Sequence, residues 1–294
     1  MKRILLFVIT NLAVVLVLSI VAYFTGLDQW LAAHGQSYYG LLVFAALFGF
    51  GGSLISLAMS KTVAKHSMGV QVISPDTTDA TGRWLLSVVE HHARTVGVGM
   101  PEVGIFQQPD PNAFATGMSR NSALVAVSTG LLQRMGRDEV EAVLGHEMTH
   151  VANGDMVTLA LLQGVMNTFV IFLSRVIGGL LGGRSDGNRG GGLGYFATVI
   201  VLQLVLGVLA SIIVMWFSRR REFRADFGGA QLAGKPKMIA ALEDLKSVHE
   251  PLPSKQFAAF GIAEGPVGGG LKRLFMSHPP LDERIAALQA ATIN

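Results

Sequence analysis

Residues 137–155 read RDEVEAVLGHEMTHVANGD, and this stretch decides the fold of the chain. The pattern predicts one helix over 138–153, which begins after Gly136 and Arg137 and ends before Gly154. Aliphatic side chains give the helix a face that can pack on a core, at Val143, Leu144 and Val151. Packing of that face fixes the direction in which the rest of the helix points.

His146 and His150 lie four residues apart on this helix, so both imidazoles project from one face and can bind one metal ion. Glu147 is close enough to reach a water on that metal. Two neutral nitrogen ligands and a carboxylate that takes a proton from water are suited to metal-assisted hydrolysis. The alternative is that the two histidines only cap a surface helix, and the packed aliphatic face counts against it.

A catalytic zinc ion needs a third protein ligand. The chain contains no cysteine, so the ligand must be His, Asp or Glu. Glu222 and Asp226 form an E-x-x-x-D pair one helical turn apart. We expect Glu222 to bind zinc and Asp226 to accept the N–H of a ligating imidazole. In the alternative interpretation Glu222 only neutralises the arginines beside it. His91 and His92, adjacent on a predicted surface helix, are interpreted as solvated.

Four long apolar stretches predict helices that cross a membrane, at 4–24, 39–59, 157–174 and 193–217. Composition supports this, because half of the residues are hydrophobic and 15% are charged, against about 25% in ordinary soluble chains. The first stretch is longer than the apolar core of a signal peptide, and a second follows almost at once. We therefore expect the first stretch to be an uncleaved anchor.

Basic residues predict the direction of these helices. They flank three of the four stretches, at Lys2, Arg3, Lys61, Lys65, Arg219, Arg220, Arg221 and Arg224. This places the N-terminus, the middle region and the C-terminal region on the cytoplasmic side. Two crossings separate His150 from Glu222, so the two lie on the same side, as a shared metal requires. The net charge is only +3 and no basic stripe interleaves with aromatics, so we expect no nucleic-acid partner.

The third apolar stretch and the loop after it are the least regular. Polar residues lie on one face of the stretch, at Gln163, Asn167 and Ser174. This face either packs against neighbouring helices or lines a path for substrate. Residues 178–194 contain nine glycines. Because no strand precedes them and no Lys-Ser/Thr pair follows, we predict a flexible external loop rather than a phosphate cradle.

Further segments resemble the HtpX-type membrane metalloproteases, which are relatives of the CAAX prenyl proteases. Besides HEMTH, they are NAFATG at 112–117, VSTGLL at 127–132, HVANGD at 150–155, MWFSR at 215–219, EFRAD at 222–226 and HPPLDERI at 278–285. The resemblance covers the whole chain, and no motif position departs from the pattern.

The resemblance implies an α-helical membrane protein with four transmembrane helices and a cytoplasmic α+β, gluzincin-like metalloprotease domain. It implies one zinc ion held by His146, His150 and Glu222, with Glu147 as general base and acid. It further implies a zinc endopeptidase of the bacterial inner membrane that acts in quality control and the stress response. Its partners would be the lipid bilayer and polypeptide substrates that are misfolded or damaged membrane proteins.

Two less specific implications concern the substrate. Asn112, Ala113 and Phe114 would contribute to an edge strand that lines the substrate. His278 would donate to the developing oxyanion, and Arg284 would support the substrate or the fold. Alternatively, His-Pro-Pro is only a common start of a helix.

These inferences predict the organisation of the chain. Residues 1–60 form a membrane hairpin, 61–156 the cytoplasmic protease part with HExxH, 157–217 a second membrane hairpin, and 218–294 the cytoplasmic protease part with the third ligand. Within the cytoplasmic parts we predict helices at 81–96, 138–153, 236–248 and 281–291, strands at 102–107 and 123–128, and a mobile connection around Pro251, Pro253 and the glycine-rich stretch 265–270.

Two other functions compete with this prediction. An intramembrane-cleaving metalloprotease of the site-2 type would bury the HExxH helix in lipid. The helix is too polar for that, because it carries Arg137, Asp138, Glu139 and Glu141. A non-enzymatic membrane scaffold with a vestigial site is the second alternative, and the intact HExxH and E-x-x-x-D patterns argue against it.

Overall fold

The computed structural model describes residues 37–181, 193–249 and 274–293, together with Phe24, Gly26 and Gln29. The first predicted membrane helix lies outside the described residues apart from Phe24. Residues 182–192 of the glycine-rich loop and the predicted mobile connection, with Pro251, Pro253 and 265–270, also lie outside them.

The described elements follow one another as a long helix, a mixed helix-and-strand region, two more long helices and two short ones. In chain order they are α1 (Tyr38–Ser67), β1 (Gln71–Val72), α2 (Ala80–Val96), β2 (Glu102–Phe106), β3 (Ala113–Ser119), β4 (Ser122–Ser128), α3 (Thr129–Arg134), α4 (Arg137–Asn153), α5 (Asp155–Leu181), α6 (Leu193–Ala233), α7 (Lys235–His249) and α8 (Leu281–Ala290).

Three of the described helices, α1, α5 and α6, are long and apolar enough to cross a membrane. They contain the predicted spans 39–59, 157–174 and 193–217. Helix α6 runs on without a break to Ala233, so the last predicted span and the E-x-x-x-D pair lie on the same helix. Three candidate spans are thus found among the described residues, and the predicted fourth lies outside them.

The chain forms two compact units. The first consists of Met1–Ser56 and Thr158–Val214, and the second of Leu57–Val157 and Met215–Asn294. In the first unit, small residues let α1 and α5 approach closely. A Cβ placed on Gly49 would lie 2.3 Å from Thr168 Oγ1. Close contact of this kind drives helix association where lipid removes the hydrophobic driving force.

The polar face of α5 is bonded within its own helix. Gln163 Nε2 donates to Asn167 Oδ1 at 2.9 Å, and the Ser174 hydroxyl donates to the carbonyl of Ile171 at 3.1 Å. Ser174 is also fully buried. Burial of Ser174 favours the packing interpretation of this face over a path for substrate.

The second unit contains a four-stranded sheet in the order β1-β2-β4-β3. Strands β2 and β4 are parallel, and the other two pairs are antiparallel. Strand β3 therefore lies at one edge. The core packs one face of this sheet against α2 and α4, with α7 and α8 behind them; its largest fully buried side chains include Leu85, Leu131, Leu144, Met148, Met238, Leu242 and Leu288.

The predicted α+β character of this region is confirmed. Its four predicted helices and two predicted strands are present with ends that differ by one residue. Strands β1 and β3 were not predicted from the pattern of the residues. Strand β3 lacks a regular alternation and contains Gly117 at φ 141°, a backbone conformation that few other residues adopt.

The prediction that His92 is solvated was wrong, because its side chain is fully buried. Helix α2 begins at Asp79, whose carboxylate accepts from the Gly82 N–H, and ends at Gly97 in the left-handed region. Its buried face includes Leu85, Val89 and His92, at helical spacing. His92 belongs to the face that packs on α4, and its Nε2 contacts the carbonyl of Glu141 at 3.3 Å.

Candidate metal centre

Helix α4 directs the side chains of both histidines of HEMTH toward the interior of the second unit. Asp138 and Glu139 lie in its first turn, where negative charge favours the helix N-terminus. Gly154 ends the helix at φ 60°, and its N–H donates to the carbonyl of His150. His146 and His150 are 6% and 8% exposed, so any charge they carry must be compensated by neighbours.

Helix α6 lies directly on the backbone of α4, and glycines make this possible. A Cβ on Gly228 would lie 2.3 Å from the Thr149 side chain, and one on Gly229 would lie 2.9 Å from the His146 nitrogen. Gly145 on α4 faces the same crossing. The approach brings the carboxylate of Glu222, which is fully buried, to the two histidines.

Ligand atoms of three residues converge at this crossing. His146 Nε2 lies 3.2 Å from His150 Nε2 and 3.5 Å from Glu222 Oε2. Glu222 Oε1 lies 3.4 Å from His150 Nε2. Bonds of about 2.0–2.1 Å to a tetrahedral zinc ion separate ligand atoms by about 3.3 Å. The predicted ligand set is therefore brought together at a spacing that suits zinc.

The outer nitrogen of each imidazole contacts a carboxylate. His146 Nδ1 lies 2.9 Å from Asp226 Oδ1, and His150 Nδ1 lies 2.7 Å from Asp155 Oδ2. An ionised carboxylate only accepts, so in the neutral form of each imidazole, which is the form that binds a metal, Nδ1 carries the proton and the two Nε2 lone pairs face each other. Within the described part of the chain, the buried Glu222 Oε1 has no hydrogen-bond donor. Facing lone pairs and an unpartnered carboxylate oxygen suit a cation.

The electrostatics of the two imidazoles agree with this. Burial acts to lower both pKa values, but the carboxylates of Asp226 and Glu222 outweigh it and raise the pKa of His146 above its ordinary range. Burial is likewise outweighed at His150, where Asp155, Glu222 and the nearby charge of Glu147 raise the pKa to about 9. The surrounding carboxylates thus favour positive charge here, and a divalent metal ion supplies that charge when it displaces the protons.

Arg284 supports the centre from α8. Its Nε and one terminal nitrogen donate to the two oxygens of Asp226 at 2.8 and 2.6 Å. Burial opposes the charge on Arg284, but the bond to Asp226 outweighs it and raises the pKa of the guanidinium. Arg284 is 6% exposed, and the structure places it as the support of Asp226 on the border of the cleft described below.

His278 lies at the rim of the centre and also just before a helix. Its Nδ1 lies 2.8 Å from Glu222 Oε2, while 60% of its side chain is exposed. Pro280 caps the start of α8 two residues later. The helix start interpreted from HPPLDERI is present, and it carries the exposed imidazole to the ligand Glu222. Donation from His278 to an oxyanion stays a prediction.

A cleft of about 690 Å³ opens beside the ligands. Glu147 lines it together with Asn112 and Ala113 of the predicted substrate segment. Phe114 differs, because its side chain lies on the other face of the sheet and packs on Phe106 with ring centroids 5.4 Å apart. Of the three residues predicted to bind substrate in this segment, Asn112 and Ala113 line the cleft and Phe114 does not.

Asp155 is a residue of the centre that the sequence analysis did not single out. It is 3% exposed, and it follows His150 by five residues, which is not a spacing that a single helix brings together. The sequence signal was present in HVANGD, where Gly154 ends a helix and a carboxylate follows immediately.

A mixed sheet-and-helix unit with a His-His-Glu set beside a cleft, in a chain with membrane-length helices, defines a membrane metalloprotease. Residues 79–292 match peptidase family M48, and the chain belongs to that family. It is 63% identical to the "Protease HtpX homolog" of Thiobacillus denitrificans over 292 residues, covering 99% of each chain. It is 61% identical to the "Protease HtpX" of Thioalkalivibrio sulfidiphilus over 295 residues, again covering 99% of each chain.

The fold is similar to that in the crystal structure of S. mikatae Ste24p. The TM-score is 0.60 at 17% sequence identity, and the similarity covers 97% of this chain and 67% of that one. The resemblance found in the sequence is thus confirmed: the chain is a metalloendopeptidase of the membrane. The His146, His150 and Glu222 cluster is the group of described residues that could hold its metal.

Proposed function

We propose that the chain is a zinc-dependent endopeptidase of the bacterial inner membrane, with its active site on the cytoplasmic side, that cleaves misfolded or damaged membrane proteins. The observation that carries this is the convergence of His146, His150 and Glu222 within 3.5 Å of one another beside Glu147. When bound, zinc would acidify a water and polarise the peptide carbonyl.

Glu147 is the general base and acid in this proposal. Its side chain is half-buried and lines the cleft next to His146. None of the described residues donates a hydrogen bond to it or pairs with it, so its carboxylate is available to water. Glu147 takes a proton from the attacking water and delivers it to the leaving amine. His278 donates to the developing oxyanion from the rim of the cleft. Because its Nδ1 faces Glu222, the donating atom is Nε2.

The substrate binds as an extended segment along β3. Within the described residues β3 pairs only with β4, so its other edge has backbone groups that an extended peptide can pair with. Asn112 and Ala113 line the cleft at the start of this strand. A peptide bound this way must be unfolded locally, which is why the proposed substrates are damaged or misfolded chains.

The cytoplasmic orientation rests on the basic residues at the ends of the membrane helices. Lys61 and Lys65 at the end of α1 both pair with Glu102, so they also join this helix end to β2. Arg219, Arg220 and Arg221 follow the predicted span of α6. The role in quality control is supported by the resemblance to HtpX-type proteases.

The test of the chemistry compares the wild type with Glu147→Gln on an unfolded polypeptide, with zinc content measured on the same samples. We expect Glu147→Gln to retain zinc and to lose about 10²- to 10⁴-fold in cleavage rate. Glu243→Gln makes the same change at an exposed position of α7 and should cleave normally. Cleavage by Glu147→Gln at the wild-type rate would disprove the general-base role.

The test of orientation uses the absence of cysteine. Glu243→Cys and Arg189→Cys each introduce one thiol, which is then the sole target for a membrane-impermeant maleimide. In intact cells we expect labelling at position 189 and none at position 243. In inverted membrane vesicles we expect labelling at position 243 and none at position 189. Labelling of position 243 in intact cells would place the active site on the outer side.

A further inference from the structure

The carboxylate of Asp155 lies at the junction between α4 and α5. Only Gly154 separates the two helices, and its left-handed conformation turns the chain so that Asp155 faces back to His150. The Asp155 Oδ2 atom lies 2.7 Å from His150 Nδ1, and both side chains are nearly fully buried. Asp155 is at the same time the first residue of α5, a helix long enough to cross a membrane.

The two histidine ligands are held in related but unequal ways. His146 is oriented by Asp226, which is itself held by two hydrogen bonds from Arg284. His150 is oriented by Asp155, with which no lysine or arginine among the described residues pairs. The orientation of His150 therefore depends on where the first turn of α5 places one carboxylate.

We propose that Asp155 is a positioning residue for the metal and that it ties the ligand His150 to the start of α5. The carboxylate fixes the tautomer with the proton on Nδ1, so that Nε2 is directed at the other two ligand atoms. Without it, the buried ring would lose its partner and could rotate or move its proton to Nε2, which would then bind no metal. This proposal rests on the proposed zinc function.

The test measures zinc affinity by competition with a chelator, using the full chain in lipid nanodiscs. Asp155→Asn keeps the shape of the side chain, and we expect it to weaken zinc binding about 10- to 100-fold. Asp138→Asn makes the same change on an exposed side chain at the other end of α4, and its affinity should equal that of the wild type. Wild-type affinity in Asp155→Asn overturns the proposal.

Thermal unfolding separates positioning from a merely structural role. A metal that binds only the folded state stabilises it by an amount set by its dissociation constant. We expect metal-free Asp155→Asn to melt below metal-free wild type, because the buried His150 loses its charged partner, and the shift caused by zinc to be smaller in the variant. An equal zinc-induced shift in both proteins means that Asp155 has only a structural role.

Hydrogen exchange tests the link to α5. We expect removal of zinc from the wild type to speed amide exchange in a peptide covering 151–162, and to have less effect there in Asp155→Asn. Unchanged exchange in the wild type overturns the link. A wild type that binds no zinc would instead refute the proposed function itself, whereas a zinc-binding wild type with an unaffected Asp155→Asn refutes only the role of Asp155.

Discussion

Helices α4 and α6 both supply metal ligands, but they do so in different ways. Helix α4 provides His146 and His150 through the helical repeat, within 17 residues. Helix α6 provides Glu222 from a continuous helix of 41 residues, and the position of Glu222 depends on the close contact of two helix backbones. Two of the three ligands are thus placed by the local helical repeat, and the third is placed by tertiary packing. The position of the third ligand should be the easier one to disrupt.

The largest loss of stability is expected at Arg284, which donates two hydrogen bonds to Asp226 of α6. Arg284→Met leaves Asp226 buried without its strongest partner, and breaking a buried pair in this way costs about 3–5 kcal/mol. Chemical unfolding in detergent measures the change. Arg134→Met removes an exposed arginine whose one side-chain bond within the described residues is to Ser247, and it should cost much less. Equal effects of the two variants would mean that tertiary support of α6 matters no more than a surface contact.

The next effect is expected at the crossing of α4 and α6. Gly228→Ala introduces a Cβ that cannot fit beside Thr149, so the helices must separate. Overpacking of this kind costs about 1–3 kcal/mol and should also weaken zinc binding, since Glu222 moves away with α6. Gly207→Ala changes a glycine of the same helix at which an added Cβ would meet no described residue within 4 Å, and it should leave both quantities intact. Unaltered zinc affinity in Gly228→Ala would show that the crossing does not position Glu222.

A smaller effect is expected at the local end of α4. Gly154 has φ 60°, a conformation that costs other residues about 1–2 kcal/mol. Gly154→Ala should therefore lower the free energy of unfolding by about that amount, and Gly154→Asn by less, because asparagine tolerates this region better. Unfolding curves of the two variants check the order, and a more stable alanine variant would contradict the explanation.

The smallest effect concerns pH and the contact of α2 with α4. Burial lowers the pKa of His92, although its bond to the Glu141 carbonyl acts the other way. As pH falls through about 6.5, the unfolded chain takes up a proton that the folded chain resists. Stability should therefore fall with pH below that value, by at most about 1.4 kcal/mol per pH unit, until the lower folded pKa is reached.

His92→Gln should flatten this dependence between neutral and mildly acidic pH. His91→Gln, the same change at the exposed neighbour, is the control. The check is the free energy of unfolding at several pH values for both variants. An undiminished slope in His92→Gln would assign the dependence to other groups.

The comparison of the two helices also shows what the sequence could predict. A spacing of four placed His146 and His150 together, because a helix returns to the same face within one turn. Glu222 was predictable because cysteine is absent and because two membrane crossings return the chain to the same side. The four helices predicted in the second unit match the structure to within one residue, since caps such as Gly97 and Gly154 mark helix ends, whereas the short α3 was not predicted.

The remaining features depend on contacts between distant segments. The interpretation of His92 as solvated was based on polarity, whereas its spacing from Leu85 and Val89 placed it on the packed face. Strand β3 has no regular alternation and is defined by its pairing with β4. The bond of Arg284 to Asp226 joins residues 58 positions apart, and no local pattern indicates it.

The unbroken course of α6 limits how the chain length can vary. Each residue inserted in a helix turns everything beyond it by about 100° and advances it by about 1.5 Å. One insertion between Phe217 and Glu222 would turn the ligand onto another side of α6 relative to the preceding apolar stretch. Seven inserted residues would restore the side to within about 20° while lengthening the helix by about 10 Å. Insertions and deletions in this stretch should therefore be tolerated only in whole helical turns.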